Sequence, residues 1–365
     1  AAVLTSESNN GILTLGGSIV MNGGSITALN NGCSGIDVFN RDYSNDGAGS
    51  NVIVNNGVIK TDAYCISTNN QLSGGETPSN VTVTDAHLSS YYSSIYWPSS
   101  GKLVLGDKDS GDGPVITSTN GSAVEICSGS LEIYGGRYVG GTEQSADDII
   151  KTDDDLLGAF RLNSGSSGMG DAVTIISRRG KGYDSSDLSV NIYGGEFIGS
   201  KNYGVRYLDC NLAEEAEEIK QSVVFKITDG VFSGNLGAVD AKIEKSESSF
   251  IYGGTYDNTD VTQWISQDLV LDENGNVRVD NSELQDLYDK YVAEKLNKED
   301  FTADSWAVYE KALVNAEAVL ADVDATKDEI TSAKEALTKA HEALTVKTEE
   351  PVVKAPVITS GNNSS

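Results

Sequence analysis

The first 280 residues consist of short runs in which apolar and polar positions alternate, and one motif closes seven of these runs. It is an apolar residue, a polar or aromatic one, two small residues, any residue and a second apolar one. Well-formed copies are Met21 Asn22 Gly23 Gly24 Ser25 Ile26, Ile133 Tyr134 Gly135 Gly136 Arg137 Tyr138 and Ile251 Tyr252 Gly253 Gly254 Thr255 Tyr256. The others begin at Val54, Val83, Ile192 and Ile227, so the steps are 33, 29, 50, 59, 35 and 24 residues. The step of 50 divides into 22 and 28 if Leu103 Val104 Leu105 Gly106 is a degenerate copy. Period-two alternation predicts strands, and no helical spacing lies between them. A repeat of this size cannot bury its inward face alone. It must stack on the next coil, which makes the backbone pairing parallel. The paired small residues suit a corner where φ is positive or another backbone comes close.

A second strand follows each corner. Its marker is a small residue and then alternation: Gly35 Ile36 Asp37 Val38, Ala63 Tyr64 Cys65 Ile66, Ser94 Ile95 Tyr96 Trp97, Ala123 Val124 Glu125 Ile126, Ala159 Phe160 Arg161 Leu162, Gly204 Val205 Arg206 Tyr207 and Ala238 Val239 Asp240 Ala241. If the first apolar residue of each points inward, the next points out. The expected outward stripe is therefore Asp37, Cys65, Tyr96, Glu125, Arg161, Arg206 and Asp240. This pattern resembles the right-handed parallel β-helix class, whose familiar members include polysaccharide lyases, glycoside hydrolases and surface adhesins. The resemblance rests on rung shape and implies a solenoid of about eight to ten coils, with no particular activity. Residues 140–155 and 163–187, rich in Ser, Gly and Asp, read as loops that project from it. Residues 213–221, with four Glu, read as a short helical insertion.

From Ser282 on the period changes. Leu284, Leu287 and Tyr291, then Trp306, Tyr309, Leu313, Ala316 and Leu320, then Ile330, Ala333, Leu337, Ala340 and Leu344 carry the three-and-four spacing of amphipathic helices. Ser282 with Gln285 and Thr326 with Glu329 are spaced as capping boxes, and Thr302 suits an N-cap. Three helices with short loops make a small bundle. Phe301 Thr302 Ala303 Asp304 Ser305 Trp306, Ala312 Leu313, Ala316, Val319 Leu320, Asp324 Ala325 Thr326, Ala333, Leu337, Ala340 and Leu344 resemble the FIVAR modules of Gram-positive secreted and wall-attached proteins. That resemblance implies an extracellular or cell-surface location and a spacer or adhesive role within a larger multidomain chain.

Composition sharpens the boundary. Of 39 Gly in 365 residues, all but one lie at or before Gly275, and the next is Gly361. The expected organisation is a mainly β solenoid over 1–280, a three-helix bundle over 281–347 and a linker tail over 348–365. With 26 Lys and Arg against 54 Asp and Glu, the net charge is −28. Such a field repels phosphate backbones and anionic headgroups, so nucleic acid is a poor partner. No apolar run is long enough to span a bilayer. The chain has no initiator Met at Ala1 and reads as a mature or excised portion of something longer. Four cysteines, Cys33, Cys65, Cys127 and Cys210, are out of alignment between coils and are expected to be free thiols.

The candidate contact residues on the outward stripe are Tyr96, Trp97, Glu125, Arg161 and Arg206. Carboxylates and guanidinium groups suit sugar hydroxyls or uronates, and aromatic faces suit sugar rings; the alternative is a solvated sheet face with cross-rung pairs such as Glu125 with Arg161. Tyr134, Tyr193 and Tyr252 share the position before the Gly pair and either stack on sugars or cover the corner. Asp107, Asp109 and Asp112 form an oxygen-rich turn whose fitting ion is calcium, but the turn lacks the Glu an EF-hand needs at position twelve. It equally suits a solvated acidic turn, and no other cofactor motif is present. For catalysis, Glu125 and Asp240 are too far apart along the axis for glycosidic hydrolysis, and Asp147 or Asp148 from the insertion is an unmarked alternative partner. No serine-nucleophile, phosphate-loop or metalloprotease motif occurs. The expected function is therefore non-enzymatic adhesion or recognition of a polysaccharide or host or wall glycoconjugate. A polysaccharide-degrading lyase or hydrolase and a purely structural stalk are the alternatives.

Overall fold

Alternate Val, Ile, Leu and Thr form strands here because branched side chains fit a pleated surface and every second one can be buried. A computed structural model describes residues 2–29, 32–38, 49–68, 78–145, 165–177, 187–209, 222–242 and 249–348. The chain divides into two units, Ala1–Arg278 and Val279–Ser365. The described residues of the first are mainly strand, and the three α-helices among the described residues belong to the second.

In the first unit, thirteen of the described strands join one sheet and eight another. The pairing in both is parallel throughout. The motif copies lie in register. Met21 faces Val54, Val54 faces Val83, Val83 faces Leu105, Leu105 faces Ile133, Ile133 faces Ile192 and Ile192 faces Ile227, and Ile227 bridges to Ile251. Leu105 thus fills the long gap, and the 50-residue step is two steps.

The predicted corner is absent from the first three copies. Gly17–Ala28, Ser50–Thr61 and Ser79–Ser90 run through the motif as single 12-residue strands, with register shifts around Asn22. Beyond Ser79–Ser90 the sheet forks. One wing continues through Gly101–Leu105, Gly129–Ile133, Leu188–Ile192 and Val223–Ile227. The other continues through Val115–Ser118, Arg137–Gly140, Glu196–Gly199, Val231–Gly234 and Thr255–Tyr256. At the forked copy from Ile133 glycine makes the bend: Gly136 has φ +106, a region L side chains rarely enter, and a Cβ on Gly135 would sit 1.8 Å from the Gly111 carbonyl oxygen.

The inner faces enclose one continuous core. Within it Tyr138, Phe197, Phe232 and Tyr256 stack ring on ring, with centroids 5.0, 4.8 and 5.0 Å apart. The Tyr138 and Tyr256 hydroxyls donate to the carbonyls of Gly135 and Gly253, so each ring packs inward while its polar tip fastens a corner.

The eight-stranded sheet runs in chain order through Ile12–Thr14, Ile36–Val38, Ile66–Ser67, Ile95–Trp97, Val124–Ile126, Val173–Ser177, Tyr203–Asp209 and Gly237–Lys242. Its inward column is Ile12, Ile36, Ile66, Ile95, Val124, Val173, Val205 and Val239. Two expected members are corrected: Ile66 takes the place assigned to Tyr64, and Val173 the place assigned to Phe160.

In the second unit, helices α1 (Ser282–Ala293), α2 (Ala303–Ala321) and α3 (Lys327–Glu342) bury Leu284, Tyr291, Tyr309, Ala316, Ala333 and Leu337 in one cluster. Thr326 and Glu329 form a reciprocal capping box at α3. Ser282 does not cap α1; its amide instead donates to Asp280, and Asn281 holds the N-cap position without a side-chain bond. Thr302 stands at the N-cap of α2, where its hydroxyl pairs with Ser305. Most of the expected tail, residues 349–365, lies outside the described residues.

Candidate functional site

Register decides which side chains share the outer face of the eight-stranded sheet. The residues after the inward column are Leu13, Asp37, Ser67, Tyr96, Glu125, Thr174, Arg206 and Asp240. Tyr96, Glu125, Arg206, Asp37 and Asp240 therefore do share the expected stripe. Cys65 does not, because it precedes Ile66. Arg161, and with it Asp147 and Asp148, lies outside the described residues, and Thr174 holds the place given to Arg161. Trp97 points the other way and belongs to the inner core.

The expectation of an open stripe is corrected. Tyr96 and Glu125 are 0% exposed and Arg206 is 2% exposed. Residues 165–171 cross the outer face and satisfy it. Ser167 donates its amide to both Glu125 carboxylate oxygens, at 2.8 and 3.0 Å, and its hydroxyl to one of them at 2.9 Å. Ser93 adds a longer bond at 3.3 Å. The Ser166 hydroxyl lies 3.2 Å from that of Tyr64, and the Met169 carbonyl accepts from Ser122 at 2.8 Å. Beneath the crossing, Tyr96, Cys127, Met169, Ile176 and Leu208 form a second apolar cluster outside the main core. A sheet covered on both faces reads as a nearly continuous apolar run, which the pattern Val173 Thr174 Ile175 Ile176 fits.

Asp171 organises the other end of this seam. Its carboxylate accepts from the Thr174 hydroxyl at 2.8 Å and the Tyr203 amide at 3.2 Å, and pairs with the Arg206 guanidinium at 3.3 Å. Burial pushes the Asp171 carboxyl above its usual range, against the opposing pull of Arg206, Thr174 and the Tyr203 amide. Arg206 also reaches Asn202 and Asp240 and lies over the Tyr203 ring, 4.6 Å from its centroid. Asn202 donates to Gln144 at 2.7 Å, and Gln144 donates to the Gly168 carbonyl at 3.1 Å. Chemically the seam is a fastening: the Glu125 and Asp171 oxygens are occupied by protein donors. Asp171, Gln144 and Ser167 carry no motif and were missed in the sequence; Ala172 Val173 Thr174 Ile175, a small residue followed by alternation, was the legible sign of the true rung.

Exposed aromatic rings stand elsewhere. Tyr134 and Tyr193 stack at 4.8 Å, nearly parallel, so each covers a face of the other. The Tyr134 hydroxyl donates to Glu132, which also pairs with Lys102; burial and this carboxylate push the Tyr134 hydroxyl up to about 12. Thr228 separates Tyr193 from Tyr252 on the ladder, and Lys226 lies over the Tyr252 ring at 4.4 Å. Tyr91 and Tyr92 are 47% and 44% exposed.

The acidic turn at Asp107 is self-contained. Asp107 accepts from the amides of Asp109 and Ser110, and the Asp112 amide donates to the Ser110 hydroxyl. No group of three or more acidic, His or Cys side chains suited to a metal ion is gathered among the described residues. Cys33, Cys65 and Cys127 are free thiols. Burial pushes the Cys65 thiol up to about 12, far from reactive thiolate. Cys210 lies outside the described residues.

Residues 280–345 match the FIVAR domain family, and they span all three helices. No curated protein and no solved structure matches the chain. Among the described residues no helix is long and apolar enough to cross a membrane.

Proposed function

We propose that the chain is a segment of an exported surface protein in which the first unit is a right-handed parallel β-helix that recognises glycans and the helical module is a spacer. The unbroken in-register column from Ile12 to Val239 supports the solenoid reading, since each strand pairs in parallel with its counterpart on the next rung. The FIVAR match supports the compartment, because such modules are typical of extracellular and wall-attached proteins. The partner is a polysaccharide or a host or wall glycoconjugate.

Recognition without chemistry rests on one observation. The Glu125 and Asp171 carboxylates are met by protein donors, whereas rings such as Tyr91 and Tyr92 are displayed on corners. A glycan array probed with the intact chain tests this, alongside reducing-end and unsaturated-product assays on pectic, hyaluronic and mucin-type polymers. Binding without release of oligosaccharides is expected, and product release favours the enzyme. One observation favours the stalk as a second reading: residues 165–171 close the part of the eight-stranded sheet's outer face around Glu125. A chain that binds no glycan on the array supports the stalk.

A further inference from the structure

The turn between Ser79–Ser90 and Ile95–Trp97 exposes two adjacent aromatic rings on a fixed backbone. The Tyr91 carbonyl accepts from the Asn120 amide at 2.8 Å, and the Tyr92 carbonyl accepts from the hydroxyls of Ser90 and Ser118 at 2.5 and 2.6 Å. The next rung places Gly121 against this turn: a Cβ there would lie 2.7 Å from the Tyr92 carbonyl carbon, and glycine brings no side chain over the rings. The Tyr91 and Tyr92 rings meet edge to face at 5.0 Å. Tyr64, from the corresponding turn one rung earlier, approaches Tyr92 at 6.5 Å and stacks on the buried Tyr96 at 5.3 Å. Tyr64 thus links Tyr92 to Tyr96 and the outer-face cluster.

We infer that Tyr91 and Tyr92, backed by the half-buried Tyr64, form a binding platform for neutral glycans. This rests on the glycan-recognition reading and names the subsite and ligand class for it. Two adjacent exposed aromatics cost solvation unless a partner covers them, and an immobilised backbone removes the ordering cost that a flexible loop would incur on binding. An edge-to-face pair presents a ring face and a ring edge at once, which suits the C–H face and the hydroxyl rim of a pyranose. Charge selects the class. Asp62 stands two residues before Tyr64 in the same turn, and the chain carries a net charge of −28, so uronate, sialylated and sulfated sugars are repelled.

The test is binding of the intact chain to immobilised neutral polymers (mannan, galactan, chitin oligosaccharides) and anionic ones (polygalacturonate, hyaluronan). Wild type is compared with Tyr91→Ala/Tyr92→Ala, with Tyr91→Phe/Tyr92→Phe and with Tyr252→Ala. We expect wild type to bind a neutral glycan. The double alanine variant should bind it at least about tenfold more weakly, while the double phenylalanine variant and Tyr252→Ala stay within about threefold of wild type. The phenylalanine pair keeps the ring faces, so retained binding there separates ring loss from misfolding. Wild-type binding that the alanine pair leaves unchanged overturns the platform but leaves glycan recognition standing. Preference for the anionic polymers overturns the ligand class. Absence of wild-type binding to every sugar overturns recognition itself and the platform with it.

Discussion

Ser167 places both its amide and its hydroxyl on the carboxylate of Glu125, across 42 residues of chain and on the outer face of the eight-stranded sheet. A fully buried carboxylate is costly unless its oxygens are met by donors, so this contact is what allows the crossing segment to close the sheet. Hydrogen bonds to charged groups contribute about 1.5–3 kcal/mol. Glu125→Ala should lower stability by about 2–3 kcal/mol and loosen residues 165–171 first. Hydrogen exchange checks this: the Ser167 amide should exchange at least about tenfold faster in the variant, with amides near Phe197 little changed.

Arg206 and Asp171 form a buried pair whose members stabilise each other only while both are present. Arg206→Ala leaves the Asp171 carboxyl in a site with 0% exposure, and removing one partner of such a pair costs about 3–5 kcal/mol. Arg206→Met combined with Asp171→Asn should recover most of that loss. Denaturant midpoints of the single and double variants form the double-mutant cycle.

The Tyr138, Phe197, Phe232 and Tyr256 stack ties four neighbouring strands together. Phe197→Ala removes the ring with neighbours on both sides at 5.0 and 4.8 Å and should cost about 3–5 kcal/mol. Phe197→Leu should cost roughly half as much. Thermal melting should show the first unit shifted and the helical unit unmoved if the two melt as separate transitions.

Asp37 supplies a pH dependence with a definite sign. Burial raises its carboxyl from 3.8 to about 6, against the hydrogen bond from Asn10. The folded state therefore holds its proton more tightly than the unfolded state does. The associated stability is fully present below pH 4 and is lost as pH rises from about 4 to 6. Asp37→Asn removes this linkage. The variant should gain on wild type by about 1–3 kcal/mol between pH 4 and pH 7, read from denaturation midpoints at both pH values. An equal difference at the two pH values contradicts the assignment.

The spaced motif carried the strand register because its apolar residues recur on successive paired strands, and even the degenerate Leu105 copy fell into line. The helices were legible for the same reason, through Leu284 to Leu344. Errors arose where period two has two solutions. Ala63 Tyr64 and Cys65 Ile66 obey the same rule two residues apart, and Ala159 Phe160 mimics Ala172 Val173. Local alternation cannot choose between them; the partner rung does. The cover over Glu125 was illegible because it depends on a contact between distant segments. A sign of it lay in Cys127, Ile176 and Leu208, apolar residues at positions that an open face would leave polar.

The parallel ladder underlies the whole account, and paired nitroxide labels measure it directly. With the four native cysteines replaced by alanine, labels are placed at Val58 and Val231 in one sample and at His87 and Val231 in another. Val58, His87, Val115, Arg137, Glu196 and Val231 are successive partners. At about 4.8 Å per strand, the account predicts Cα separations of about 24 Å for the first pair and about 19 Å for the second, a difference of one rung. Distances that fail to differ by about one strand spacing, or that place His87 farther from Val231 than Val58 is, contradict it.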